Sequence, residues 1–318
     1  MSGVVEYGRV PFITERALRE HKVFEQADDR FRAAVRVRQA LLREQKGWDI
    51  GLFPPAADTQ REIGSYLGGE SPDANFITPE VAQLVRREVA YREENSLIDQ
   101  DRLYRNMISS HPVCFNVFGP LKLDPRLASS VARRLCPGFL RQATAVLFEH
   151  SPARRHPAFT NDRTAFDVLI KAQTTAGHGF IAIEVKLTES MAETPARLRP
   201  RYDELSRTSG LFKDPDHPDL RAAPLQQLWR QNMLAAAMVQ NGLYTAGRFM
   251  VVAPALNTRV WDAVAQFNSH LITDDPVVTF DAVTLECVIM AIRKAGAKET
   301  ASLLYERYCD FAPLDTLI

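Results

Sequence analysis

Ile181-Ala182-Ile183-Glu184-Val185-Lys186, with Phe166-Asp167-Val168-Leu169-Ile170 just upstream, decides how this 318-residue chain reads. Both segments are apolar runs of strand length, yet between them they carry Asp167, Glu184 and Lys186. A charge inside a buried strand is costly unless it is paired or binds a metal. Side chains at i and i+2 of a strand share a face, so Glu184 and Lys186 project together while Ile183, Val185 and Leu187 point into a core. Residues 174–179, with Gly177 and His178, form a tight connection that pairs the two runs as a hairpin and brings Asp167 beside Glu184. Two carboxylates meeting at a strand end repel, and are stable together chiefly around a cation. Oxygen ligands of this kind suit Mg²⁺, with Mn²⁺ as a substitute. The residue types and spacing therefore point to metal-assisted phosphodiester hydrolysis, with Lys186 orienting the attacking water or stabilising charge on phosphorus.

Outward from this stretch, residues 143–148 are β-compatible, residues 249–253 form a further strand, and a short strand fits residues 277–280. Residues 224–241 are apolar nearly all round and predict a buried helix, closed by Gly242. Helices follow at about 259–268, 285–294 and 298–308. Residues 195–201 are basic and proline-punctuated, and 213–218 form a loop rich in Asp and Pro. The amino-terminal half reads as mainly helical. One long helix is expected over about 15–46, with Gly47 as its stop, and another from Thr78-Pro79 to about 109, closed by Pro112. Residues 52–58, with Pro54-Pro55, and the punctuation at Gly64, Gly68, Gly69 and Ser71-Pro72-Asp73 read as turns or irregular structure. Val113-Cys114-Phe115-Asn116-Val117-Phe118 is a strand or a buried loop, with Asn116 a buried amide or a site residue. Residues 125–135 form a short helix.

The expected fold class is α/β (α+β), a mixed sheet flanked by helices. Residues 1–140 form a mainly helical region packed on an α/β core over residues 141–318, in one compact unit. The composition, 46% hydrophobic and 25% charged, is that of a soluble globular protein, and no apolar run reaches the length of a membrane span. The opening Met1-Ser2-Gly3-Val4-Val5-Glu6 lacks a basic-then-apolar leader, and Cys114, Cys136, Cys287 and Cys309 form no CxxC pair. A cytoplasmic protein with reduced thiols and no membrane partner is the expectation. Net charge is zero, so any nucleic-acid surface must be local. Arginine clusters lie at Arg30, Arg32, Arg36, Arg38 and Arg43, and at Arg133, Arg134, Arg141, Arg154, Arg155 and Arg163. His156, His178 and His217 show no ligand spacing, and Trp229 reads as core. There is no GxSxG and no Cys–His arrangement for nucleophilic hydrolysis.

Asp167 followed by Glu184-Val185-Lys186 resembles the PD-(D/E)XK nuclease superfamily, although Phe166 stands in place of the motif's proline. Phe115-Asn116-Val117-Phe118-Gly119-Pro120-Leu121, Thr164-Ala165-Phe166-Asp167-Val168 and the Glu184 strand are similar to a bacterial group of restriction-endonuclease-like proteins in that superfamily. The resemblance implies a restriction-endonuclease-like core and a Mg²⁺-dependent deoxyribonuclease. It implies Asp167 and Glu184 as metal ligands, assisted by the Val185 carbonyl, and Lys186 as catalytic. It also implies a glutamine on the helix after the third strand, Gln226 or Gln227, and a further acidic residue, Glu149 or Glu94. DNA is the implied substrate, and a homodimer is compatible with cutting both strands. The alternative is a catalytically inactive nuclease fold serving as a nucleic-acid-binding or interaction module.

Overall fold

The computed structural model describes residues 9–54, 59–69 and 72–317. The opening residues read for a leader, most of the 52–58 loop and Ser71 lie outside them. The elements in chain order are α1 (Glu15–Glu20), α2 (Arg30–Gln45), β1 (Ile50–Phe53), β2 (Arg61–Leu67), α3 (Pro79–Ala90), α4 (Gln100–Tyr104), α5 (Ser110–Leu123) and α6 (Pro125–Leu135). They continue with β3 (Leu140–His150), β4 (Phe166–Thr174), β5 (Gly177–Val185), α7 (Pro200–Thr208), α8 (Gln226–Gln240), β6 (Ala246–Ala253), α9 (Thr258–His270), β7 (Val278–Thr284), α10 (Leu285–Lys294) and α11 (Lys298–Tyr308).

The main sheet runs β3-β4-β5-β6-β7. Strands β3, β4 and β5 are antiparallel, and β6 and β7 add in parallel. The crossover from β5 to β6 carries α7 and α8, and that from β6 to β7 carries α9, as parallel strands require. The hairpin expected between β4 and β5 is present; Thr174 pairs with Gly177, whose φ of +119° only glycine adopts without strain.

Alternation along the strands splits the interior into two cores. Val168, Ile170, Ile181, Ile183 and Val185 face α3, α5, α6, α10 and α11. Leu169, Ala182, Phe249 and Val251 face α7, α8 and α9, where Trp229 is fully buried. The result is a mixed sheet between two helical layers, the restriction-endonuclease-like arrangement expected from the sequence. No helix among the described residues is long and apolar enough to cross a membrane.

Several local expectations are corrected. The helix expected over 15–46 is two helices, because the chain turns at Lys22 (φ +55°) before Asp29 caps α2. The helix expected to run to 109 stops at Tyr91; the segment to Asp99 is irregular, and α4 is a separate short helix. The run 113–118 is neither strand nor loop but the middle of α5. Pro112 does not close a helix there. It sits in the first turn of the next one, where a missing N–H costs nothing, behind the Ser109 cap. The apolar run is buried on nearly every side, so it lacks the one-faced pattern of a surface helix. The hairpin β1–β2 and helix α7 were not legible: β2 contains Gly64, and α7 starts at Pro200 in a basic stretch. The four cysteines are unpaired.

A candidate metal-dependent active site

Strand register assembles the site. Phe148 pairs with Val168 and His150 with Phe166, which sets Glu149 across from Asp167. The β4–β5 ladder ends at Val168 and Ile183. Beyond it the strands part, and the Asp167 carboxylate accepts the Val185 N–H, Oδ2 lying 2.7 Å from the nitrogen. The core-facing alternation of β4 breaks here too, since Phe166 joins the same core as Leu169. Three neighbouring strands therefore each bring one carboxylate to the same end: Glu149, Asp167 and Glu184.

Lys186 is the cation among them. Its Nζ lies 2.7 Å from Glu184 Oε1 and donates to Gln227 Oε1 at 2.8 Å. Gln227 Nε2 donates to Glu184 Oε1 at 2.7 Å, and Gln231 Nε2 donates to Glu184 Oε2. Lys186 and Glu184 are 5% and 3% exposed, so this is a desolvated ion pair saturated by amide donors. One turn of α8 separates Gln227 from Gln231, so both reach the same strand. Gln231 is a residue that sequence reasoning missed; its signal was the i+4 spacing from Gln227. Gln226 turns away: its amide brackets Ala196, accepting from the backbone nitrogen and donating to the oxygen at 2.7 Å. It anchors the 188–199 loop rather than the carboxylates.

Charge decides the rest. Burial raises the Asp167 carboxyl well above its usual range, and Glu184 and Glu149 add to the effect. Burial likewise raises Glu149 to about 7, Arg154 opposing and Glu184 reinforcing. Burial alone would lower Lys186, but Glu184, Glu189 and Asp167 outweigh it and hold the ammonium charged. The cluster thus carries more negative charge than Lys186 neutralises, and it must take up either protons or a cation.

His111, at the start of α5, is the second residue missed. It lines a small cavity with Glu149, Asp167, Cys114, Phe115 and Phe148; about 20 Å³ of this space would admit one water or one ion. Its Nδ1 is buried without a partner, and burial with nearby Arg102 lowers its pKa to about 4, so the ring is neutral at pH 7 and could serve as a nitrogen donor. No motif signalled it, because it stands far from the strands in sequence. An oxygen set from Glu149, Asp167 and Glu184 suits Mg²⁺ or Mn²⁺.

Two other readings resolve against the site. Asn116 is structural: it accepts from Ile77 N at 3.0 Å and donates to Asn75 O at 3.0 Å and Tyr308 Oη at 2.7 Å. Glu94 is exposed and accepts from Asn95 Nδ2, whereas Glu93 pairs with His150 and Arg154. Of the two arginine clusters, that on α2 is largely internal: Arg36 pairs with Asp28, Arg38 donates to the Asp310 and Glu306 carbonyls, and Arg43 to Gly64 O and Trp48 O.

A family model for the PD-(D/E)XK nuclease superfamily matches residues 26–310. The chain belongs to that superfamily. The match takes in α2 through α11, so the helices α2 to α6 ahead of the main sheet fall within it and α1 does not. No curated protein and no solved structure matches the chain.

The charge excess makes a pH prediction for this superfamily member. Metal ligands must be deprotonated, so a cation held by Asp167 and Glu149 would displace their protons. Mn²⁺ affinity is expected to rise with pH by about tenfold per unit for each proton displaced, and the Glu149 share of that rise levels off above about pH 7. Without metal the sign reverses. Glu149 has a folded pKa above its unfolded value of 4.5, so the folded state holds more protons between 4.5 and about 7. Metal-free stability should fall as pH rises across that window, by at most about 3 kcal/mol for this residue. Calorimetry in two buffers of different ionisation enthalpy measures the displaced protons; affinity independent of pH would contradict the assignment.

Proposed function

We propose that the protein is a divalent-metal-dependent nuclease that hydrolyses DNA phosphodiester bonds, with Mg²⁺ as the metal and Mn²⁺ as a substitute. The observation that carries this reading is the set of three carboxylates at one sheet end, Glu149, Asp167 and Glu184, with Lys186 as the cation paired to Glu184. Asp167, Glu184 and Glu149 would hold the metal, with the Val185 carbonyl as a further donor. A bound cation would polarise the scissile phosphate and activate water beside it. Lys186, presented by Glu184 and Gln227, places a fixed positive charge where negative charge develops on phosphorus. Gln227 and Gln231 keep Glu184 from turning away from the cluster.

The rim supports a nucleic-acid substrate. Arg155, Arg163, Arg197 and Arg199 are exposed on the loops that lead into β4 and out of β5. The two loops are joined where Arg199 donates to Asn161 O at 2.8 Å. Such arginines contact phosphates without reading sequence, and a locally basic rim reconciles a neutral chain with a polyanionic substrate. A homodimer would present two such sites for the two strands of a duplex.

The test is cleavage of plasmid and linear DNA with Mg²⁺ or Mn²⁺ by the purified chain and its Glu184→Gln variant. Metal-dependent cleavage that drops at least about a hundredfold in the variant is expected. Folded wild type that binds both metals yet cleaves no DNA would favour a binding or interaction module on the same fold.

A further inference from the structure

On the face of the sheet covered by α8 and α9, a second group of ligand-type side chains comes together outside the carboxylate site. His217 and Asp219 flank the start of a single 3₁₀ turn, Pro218–Arg221, and His270 is the last residue of α9. His217 Nδ1 lies 3.8 Å and His270 Nε2 3.9 Å from Asp219 Oδ2, and the three ligand atoms fall within 4.8 Å of one another. The imidazole rings are 4.4 Å apart, tilted at 56°.

We propose that His217, Asp219 and His270 form a Zn²⁺-type site that ties the loop before α8 to the end of α9. Two imidazoles and one carboxylate are a donor set for zinc and its neighbours, and water can complete a tetrahedron. Ligand atoms around tetrahedral zinc are about 3.3–3.4 Å apart, so the two imidazole–carboxylate distances must close by about half an ångström and the imidazole pair, within 4.8 Å, by up to about 1.4 Å. The backbone already makes this approach: Lys213 N donates to His270 O at 2.9 Å, and Phe212 bridges Leu271. Gln266 Nε2 donates to Asp219 Oδ2 at 3.3 Å and orients the carboxylate from outside, the usual support of a metal ligand. The bond that zinc would replace is weak, a 3.3 Å contact from Asp219 N to His217 Nδ1. Asp214, nearby, adds negative charge, against Lys213, whose Nζ is held by Ser269 O.

This group is separate from the nuclease centre. Asn257, which caps the other end of α9, donates to Leu187 O at 3.0 Å beside the carboxylates. Thirteen helical residues then carry the chain about 20 Å before His270. The chemistry differs as well, since the carboxylate centre is oxygen-rich and this one is nitrogen-rich.

The experiment titrates the metal-free Glu184→Gln protein with Co²⁺, a spectroscopic stand-in for zinc, and then competes it with Zn²⁺. One equivalent giving a tetrahedral visible band that Zn²⁺ displaces is expected. His270→Gln in the same background should weaken binding about a hundredfold or more, and His217→Gln should do the same. Zn²⁺ at a hundred times its Kd should raise the melting temperature by about 4 °C in the parent and not in either variant. Metal-free melting of the variants close to that of the parent shows that they fold. No band in the parent, or an undiminished band in both variants, would overturn the site.

Discussion

Lys186→Met is expected to lower DNA cleavage about a thousandfold while the protein stays folded in the presence of Mg²⁺. The methionine keeps the stem that packs in the strand and removes only the ammonium, which lies 2.7 Å from Glu184. Without metal the variant is left with a buried, uncompensated Glu184, at a cost of about 3–5 kcal/mol. Glu184 keeps its donors Gln227 and Gln231, and a bound cation would supply the missing charge, so Mg²⁺ should stabilise this variant more than wild type. The double variant Glu184→Gln/Lys186→Met removes both partners. It should recover much of the metal-free stability and none of the activity. Cleavage by Lys186→Met within tenfold of wild type would remove Lys186 from the mechanism.

Asp162→Ala should produce the largest loss of stability, about 3–5 kcal/mol by denaturant unfolding. Its carboxylate accepts from Thr160 Oγ1 at 2.6 Å, Thr164 N at 2.8 Å, Thr164 Oγ1 at 2.6 Å, Tyr202 Oη at 2.7 Å and Arg230 Nη1 at 2.9 Å. Removing it strands a part-buried guanidinium and several donors at once. Burial would raise the Asp162 pKa, but the donors of Thr160, Thr164 and Tyr202 outweigh it and hold it below its ordinary value. Its stabilisation is therefore present above an unfolded pKa of about 3.9 and lost as pH falls through the lower folded value. The gap between wild type and Asp162→Ala should close in strong acid. Asp162 also ties the loop entering β4 to Arg230, which lies on α8 between Gln227 and Gln231. Cleavage should fall with stability in this variant, whereas in Lys186→Met cleavage falls even where Mg²⁺ restores the fold.

The main strands and the helices over 285–294 and 298–308 were legible because their signals are local. Apolar runs of strand length, Gly177 at the hairpin and Gly242 after α8 act within a few residues of themselves. The helix at 113–118 was not legible, because burial on nearly every side erases the periodicity that marks a surface helix. The breaks at 21–28 and 91–99 were missed because positive φ at Lys22 and Asn95 leaves no mark in an ordinary polar sequence.

The sequence by itself determined the charged strand triplet and its faces. With a side-chain period of two, Glu184 and Lys186 share a side, and a tight connection over residues 174–179 carries Asp167 to them. Only the tertiary structure decided what surrounds the triplet. Strand register set Glu149 opposite Asp167, and the start of α5 brought in His111. The pitch of α8 chose Gln227 and Gln231 over Gln226, and the far end of α9 met His217 and Asp219. These groups come from elements tens of residues apart, joined by sheet order and helix packing, and no short-range pattern encodes such a meeting.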